Sequence, residues 1–117
     1  MATSTEGRNR AVDGVAGTVS HLSLHDGDPG TTGTNELSAG TAGYARVAKT
    51  YDPASNGSAD IASPAVFDVS GGDTASHWGA WDDTDFLFGE ELTEAQQFAT
   101  DGQYTLTSAP YSGDNPA

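Results

Sequence analysis

Turn-forming residues divide this chain into short segments along its whole length. Its 117 residues include 15 glycines and five prolines, and Ser, Thr, Ala and Asp are abundant among the rest. Glycine and aspartate accept the backbone angles of tight turns, and proline removes a backbone donor and restricts the chain before it. This composition favours short strands joined by many turns over long helices, within a single domain.

Alternating apolar residues predict six or seven short strands between these turns. The clearest hairpin has its turn at residues 82–84, where Trp78 and Phe86 lie on the two arms. We therefore expect an all-β fold, an antiparallel β-sandwich of jelly-roll type. A helical turn is expected at residues 93–97, and Asn56-Gly57 predicts a tight turn. The expected strands cover residues 18–25, 44–51, 65–69, 76–81, 85–89 and 103–108.

A capping pattern near the start of the chain predicts one short N-terminal helix. The stretch Thr3-Ser4-Thr5-Glu6 matches S/T-x-x-E, in which side chains satisfy the free amides of a first helical turn. We expect a helix over residues 5–15, with Ala11 and Val15 on its packed face. The expected organisation is a flexible tail or anchor at residues 1–10, a β-sandwich at 11–108 and a polar C-terminal tail at 109–117.

The charge balance of the chain restricts its possible partners. The chain has seventeen acidic residues and only four basic ones, which gives a formal net charge of −13. Self-repulsion of this size loosens a compact state in dilute buffer, whereas molar salt shortens the screening length to about 3 Å. The balance therefore indicates a protein from a hypersaline cytoplasm. It excludes nucleic-acid binding, which needs cations to neutralise phosphates, and binding to anionic membranes.

Aspartates cluster at two predicted turns and are the candidates for a metal site. Carboxylate oxygens of this kind bind Ca²⁺ or Mg²⁺, but the spacing around the first turn is not that of an EF-hand. Turn formation and salt adaptation explain both clusters without a metal, so we expect no cofactor, with a structural Ca²⁺ or Mg²⁺ as the alternative. The candidate ligands are Asp26, Asp28, Asp82, Asp83 and Asp85.

No sequence pattern indicates catalysis. The chain has no cysteine and therefore no disulfide or thiol chemistry. It also lacks a G-x-S-x-G elbow, a P-loop and a dinucleotide fingerprint, so we expect that it is not an enzyme. His21 and His25 would lie about 13 Å apart along one strand, too far to share a zinc ion. We expect these two residues and His77 to be packed or hydrogen-bonded instead.

Exposed aromatic residues are the candidates for contacts with sugars or partners. Trp81 lies beside the predicted hairpin turn, whereas Trp78 is the better candidate for the core. Aromatic rings with neighbouring carboxylates are typical of sites that bind glycans, although packing in the core or at a subunit interface is the alternative for each ring. The candidate contact residues are Trp81, Tyr51 and Asp83.

Several segments in order resemble one protein family. They read LSLH at residues 22–25, DPGTTGTNEL at 28–37 and GYARVA at 43–48, followed by aromatic stretches at 76–82 and 86–92. Together they resemble the tail-fibre and minor tail proteins of tailed phages. The resemblance implies a small β-sandwich that assembles as an oligomer on a virus particle. Combined with the acidic composition, it indicates a tailed virus of a haloarchaeon.

We therefore expect a structural protein of the virion surface, a capsid turret or decoration (spike) subunit. It would form a symmetric trimer or pentamer, bind other virion proteins and reach the host surface. The alternative is a tail-fibre or baseplate tip that binds glycans of the host envelope. A cellular carbohydrate-binding or metal-binding module is a third hypothesis. The N-terminus does not resemble a secretory signal, so assembly in the host cytoplasm and localisation in the virion are expected.

Overall fold

A computed structural model describes residues 4–112, which form one helix and eight strands. The predicted all-β class, with antiparallel sheets and a short N-terminal helix, is confirmed. The elements are α1 (Thr5–Ala16), β1 (His21–His25), β2 (Val47–Ala48), β3 (Ser58–Ala59), β4 (Ala65–Val69), β5 (Thr74–Asp82), β6 (Asp85–Gln97), β7 (Gly102–Leu106) and β8 (Tyr111–Ser112).

The strands form one larger sheet and two small ones. Four strands pair in the order β2-β1-β5-β6, while β3 pairs with β8 and β4 pairs with β7. Every pairing is antiparallel. The jelly-roll arrangement is not confirmed, because the described strands pair as one group of four and two groups of two. Strand β1 lies at the centre of the larger sheet, where residues more than 50 positions apart in sequence face each other.

The main core lies on one face of the larger sheet. Leu22 and Leu24 of β1 and Trp78 of β5 are almost fully buried there. Strand β4 completes this core with a regular alternation, in which Ala65, Phe67 and Val69 are buried and the residues between them are exposed. A strand exposes alternate side chains to opposite faces, so β4 covers the core with one face and meets solvent with the other.

Helix α1 packs with a different face from the one expected. Ser4 is its N-cap and accepts a hydrogen bond from the Gly7 amide at 3.0 Å. The buried helical residues are Val12 and Ala16, not Ala11 and Val15. The reason is tertiary, because Asn9 and Asp13, one turn apart on the helix, accept hydrogen bonds from backbone amides of the loop at residues 54–57. These bonds set the rotation of the helix. Residues 5–10, expected in the tail, belong to this helix.

Strand β6 is longer than expected and replaces the predicted helical turn at residues 93–97. That prediction is wrong, because Gln96 and Gln97 pair with Ala75 and Thr74 of β5. The pairing with β5 overrides the weak local helix preference. The pairing of β6 with β5 is irregular, because its register shifts between Ala75 and His77 of β5.

The C-terminal region and the second predicted strand also differ from expectation. Ala109 is fully buried and its amide donates to Asp60 Oδ1 at 2.7 Å, while β8 pairs with β3. Residues 109–112 are therefore part of the folded domain, and residues 113–117 of the expected tail, like residues 1–3, lie outside the described part. The strand expected at residues 44–51 is reduced to β2.

Within the described residues, no helix is long and apolar enough to cross a membrane.

The alternation in β4 predicts opposite outcomes for two neighbouring substitutions. Phe67→Ala should lower the free energy of unfolding by about 3–5 kcal/mol, because it leaves a cavity in the core. The control Val66→Ala, at a residue that is 46% exposed, should change it by less than about 0.5 kcal/mol. Urea unfolding of both variants at one KCl concentration measures the difference, and similar losses would contradict this placement of β4.

Candidate functional site

The hairpin of β5 and β6 carries one aromatic pair on each face of the larger sheet. Trp78 packs edge-on against Phe88 at 5.7 Å between ring centres, and Trp81 packs against Phe86 at 5.1 Å. Phe86 and Phe88 lie on opposite faces, although they are two positions apart in sequence. Trp81 pairs with Phe86 but Ala80 pairs with Phe88, so one extra residue is accommodated in β6 as a β-bulge. The bulge turns the two rings to opposite faces.

A loop at residues 26–46, the cover loop, closes over Trp81 on the second face. The Arg46 guanidinium carbon lies 3.5 Å from the centre of the indole ring. Two bonds at 2.9 and 3.0 Å join Arg46 to the Glu36 carboxylate in a bidentate ion pair. Gly33 approaches the ring edge so closely that an added Cβ would lie 2.4 Å from it. Trp81 is only 6% exposed as a result.

A chain of buried hydrogen bonds continues beneath the indole ring. Trp81 Nε1 donates to Ser23 Oγ at 2.8 Å, and Ser23 Oγ lies 2.7 Å from His25 Nε2. His25 Nδ1 lies 2.7 Å from the Thr34 carbonyl oxygen. A carbonyl only accepts, so Nδ1 carries the proton and Nε2 accepts from the Ser23 hydroxyl. This arrangement requires neutral His25, and burial lowers the pKa of His25 below its usual value.

Tyr44 connects the cover loop to the central strand. Its hydroxyl donates to Glu36 Oε2 at 2.8 Å and accepts from the Leu24 amide at 2.9 Å. Burial raises the pKa of Tyr44 well above its usual value, and the hydrogen bonds from Arg46 to Glu36 raise the pKa of Arg46. The phenol is therefore a fixed neutral donor, and the ion pair keeps its charge.

This network positions side chains but offers no accessible reactive group. Ser23 and His25 have the separation of a nucleophile and its base, yet both are 0% exposed. The Ser23 oxygen is also occupied by the Trp81 indole. A substrate carbonyl has no path to this oxygen, so the arrangement stabilises the fold of the cover loop. The expectation that the chain is not an enzyme stays a prediction.

The three candidate contact residues have different surroundings. The expected exposure of Trp81 is wrong, because the cover loop buries its ring; its contact with a sugar stays a prediction. Tyr51 is half-buried, packs against Phe88 and donates to the Ala109 carbonyl at 2.6 Å. Only Asp83 is exposed, in the hairpin turn with φ of 55°.

The candidate metal ligands are not brought together. Asp28 Oδ1 accepts from the Gly30 amide at 2.8 Å, which is turn chemistry. Among residues 4–112, no three His, Cys, Asp or Glu side chains are grouped closely enough to hold a metal ion. All five candidates, Asp26, Asp28, Asp82, Asp83 and Asp85, are exposed.

The histidines are packed or hydrogen-bonded, as expected. His21 Nδ1 lies 2.9 Å from Ser20 Oγ, and His77 Nδ1 lies 2.8 Å from Ser76 Oγ. His77 faces the buried His25 across the pairing of β5 with β1. Each imidazole thus has a neighbouring hydroxyl rather than a second ligand for a metal.

Sequence reasoning missed a groove between β6 and the segment at residues 104–112. Its central part has a volume of about 400 Å³. Glu90, Glu91 and Glu94 line one wall, Trp78 contributes to the lining, and the hydroxyl side chains of β7 and the following residues line the other. The three glutamates are evident in the sequence, but the helical turn expected at residues 93–97 placed Glu94 outside any strand. In the structure all three belong to β6, along its open edge.

In comparisons with known proteins, no protein-family model matches this chain and no curated protein matches it in sequence. The resemblance to tail-fibre and minor tail proteins therefore stays a prediction based on residues 22–48 and the hairpin aromatics.

The packing of the cover loop predicts different effects for two glycine substitutions. Gly30 and Gly33 both have positive φ, at 61° and 80°, so alanine is strained at either position. Gly33→Ala should lower the free energy of unfolding by about 1–3 kcal/mol more than Gly30→Ala, because only its Cβ collides with Trp81. Urea unfolding measures the difference, and a red shift of tryptophan emission should accompany Gly33→Ala alone. Equal effects would contradict the closed loop.

The buried imidazole predicts a pH dependence with a defined sign. Because the folded pKa of His25 is lowered, the unfolded chain binds more protons there below about pH 6.5. The contribution of neutral His25 to stability is complete above that pH and decreases as the pH falls through the window beneath it. The slope is at most about 1.4 kcal/mol per pH unit.

NMR titration of the imidazole and unfolding at pH 7.5 and 5.5 measure this effect. His25→Asn should flatten this part of the pH profile, whereas Val66→Ala, at an exposed position without a titratable group, should leave the slope unchanged. A midpoint for His25 at or above about 6.5 would contradict the assigned hydrogen bonds.

Proposed function

We propose that this chain is a structural protein of the surface of a tailed virus that infects a haloarchaeon, as a capsid turret or decoration subunit. The observation that carries the proposal is the convergence of the segments that resemble tail-fibre and minor tail proteins. Residues 22–25, 28–37 and 43–48 are separate in sequence but lie together around Trp81. The resemblance therefore concerns one packed unit rather than scattered composition.

Several residues of these segments have a physical role in that unit. Pro29 is buried and Gly33 contacts the indole ring. Glu36 holds both Tyr44 and Arg46 through its two carboxylate oxygens. These shared contacts support treating the segments as one structural unit.

The surface and shape of the domain fit a role on a particle in concentrated brine. The described body is elongated, at 49 × 24 × 22 Å, as a subunit that projects from a shell would be. Most of its acidic side chains are exposed, and salt screens their mutual repulsion. We propose assembly as a symmetric trimer or pentamer, since closed cyclic symmetry is the usual form of a homo-oligomer, with other virion proteins as partners.

The alternative, a tail-fibre or baseplate tip that binds glycans of the host envelope, has less support. Its best candidate for stacking on a sugar, Trp81, is covered by Arg46 and Phe86. The exposed Asp83 remains a candidate contact. This alternative places the same fold at a different position on the particle, so copy number separates the two.

Quantitative mass spectrometry of purified particles tests the proposal. The chain should be present in tens to hundreds of copies, measured against the major capsid protein and with the portal protein as an internal standard. A handful of copies would favour the tail-tip alternative. Absence from washed, infectious particles would contradict both locations, and light scattering of the purified chain in molar KCl would test the oligomer separately.

A further inference from the structure

The groove between β6 and β7 lies between two open strand edges. In the described part of the chain, strand β6 pairs only with β5, and β7 pairs only with β4. Among residues 4–112, no backbone hydrogen bond joins the edges that face the groove. Strand β7 pairs with β4 over five consecutive residues without a bulge, so its free edge is regular. Such an edge presents unpaired N–H and C=O groups at the spacing that another strand needs.

The side chain of Trp78 also lines this groove. Trp78 is 2% exposed, and its indole N–H makes no hydrogen bond within the described residues, in contrast to that of Trp81. An acceptor inside the groove would satisfy this donor.

The charge of the groove is negative along its length. Glu90, Glu91 and Glu94 line the β6 wall, and no basic residue belongs to the lining. Glu94 of β6 and Tyr104 of β7 both line the groove, and burial, followed by the charge of Glu94, raises the pKa of Tyr104. An occupant therefore gains from cationic groups that face β6 and from backbone groups that face β7.

We propose that this groove binds an extended, positively charged segment of another protein, which adds a strand to the open edge of β7. The added strand would lie about 4.8 Å from β7 and would direct Lys or Arg side chains to the glutamates. A backbone carbonyl of the segment would accept from Trp78. This is strand addition, in which main-chain bonds give affinity and side chains give specificity.

A second copy of this chain does not have the chemistry of the occupant. Arg46 is paired with Glu36 and Lys49 contacts Ser63. Arg8 and Arg10 belong to helix α1. Residues 1–3 and 113–117 contain no Lys or Arg. The segment therefore comes from a different protein, and the inference holds whether or not the chain is part of a virion.

The test uses the purified full chain and a defined probe. The probe is a nine-residue peptide of alternating lysine and threonine with both ends capped. Titration followed by NMR should shift the Trp78 indole resonance and the amides of residues 104–106. The same peptide with glutamate in place of lysine should not bind, and backbone N-methylation of the probe should abolish binding because it removes the main-chain donors.

Two matched double variants test the role of the glutamates. Glu90→Gln with Glu94→Gln should weaken binding of the lysine peptide about three- to tenfold, as expected for two exposed ion pairs. Asp82→Asn with Asp85→Asn removes the same charge from the hairpin turn and should change affinity less than about twofold. All four positions are exposed, and the dispersion of the NMR spectrum verifies that each variant is folded.

Three results would overturn the proposal. The first is no binding of the lysine peptide by the folded chain. The second is equal loss of affinity in both double variants, which would indicate attraction to the overall negative charge. The third is that chitotriose or mannotriose shifts the Trp78 indole while the peptide does not, which would identify a glycan groove. Particle composition has no influence on these outcomes, so they are separate from the test of virion location.

Discussion

The second face of the larger sheet depends on one constraint, which is that the cover loop must bury Trp81. The hairpin places this ring opposite the main core, where an uncovered indole would meet water. The Arg46 guanidinium lies over the negative face of the ring and is held there by the bidentate Glu36. Cation–π attraction and a charge-assisted ion pair reinforce each other in this geometry. The cover loop, which has little regular structure, is fixed by these contacts.

The polar groups beneath the ring explain why the loop has one conformation. A buried polar group that loses its partner is costly, and a fully satisfied network therefore selects a single arrangement. The indole, the Ser23 hydroxyl and the His25 imidazole form such a network, which ends at the Thr34 carbonyl of the loop. A different loop position would leave His25 without its acceptor. The network thus joins residues 22–25 of the central strand to residues 28–37 of the cover loop.

The edge of the larger sheet at strand β6 differs from the face that the cover loop closes. Trp81 is enclosed and its indole N–H is paired, whereas Trp78 lines an open groove and its N–H has no partner within the described residues. The glutamates that line this groove would repel the same edge of another copy, because like charges on facing edges repel. The same charges attract a cationic strand. One hairpin therefore supplies a closed structural face and an edge that remains open to a partner.

Sequence patterns located the elements that local chemistry controls. Alternation gave the bounds of β4, turn residues placed the tight turn at Asn56 and the hairpin, and the helix begins near its capping pattern. The predictions are wrong where contacts between residues distant in sequence determine the structure. The helix rotation depends on bonds from the loop at residues 54–57, and the strand at 93–97 depends on pairing with β5. A weak local preference yields to such contacts.

The sequence by itself determined the class of this protein. Frequent turn residues limit the strands to short lengths, alternating apolar residues give them a buried face, and the excess of carboxylates makes the surface acidic. Only the tertiary structure decided that Trp81 is covered, that Phe86 and Phe88 face opposite sides, and that β6 and β7 leave a groove between them. The physical reason is that periodicity and turn chemistry act over a few residues, whereas the cover loop and the hydrogen bonds beneath Trp81 depend on contacts between residues 20 to 58 positions apart. The bulge and the open edge depend in turn on how β6 pairs with β5.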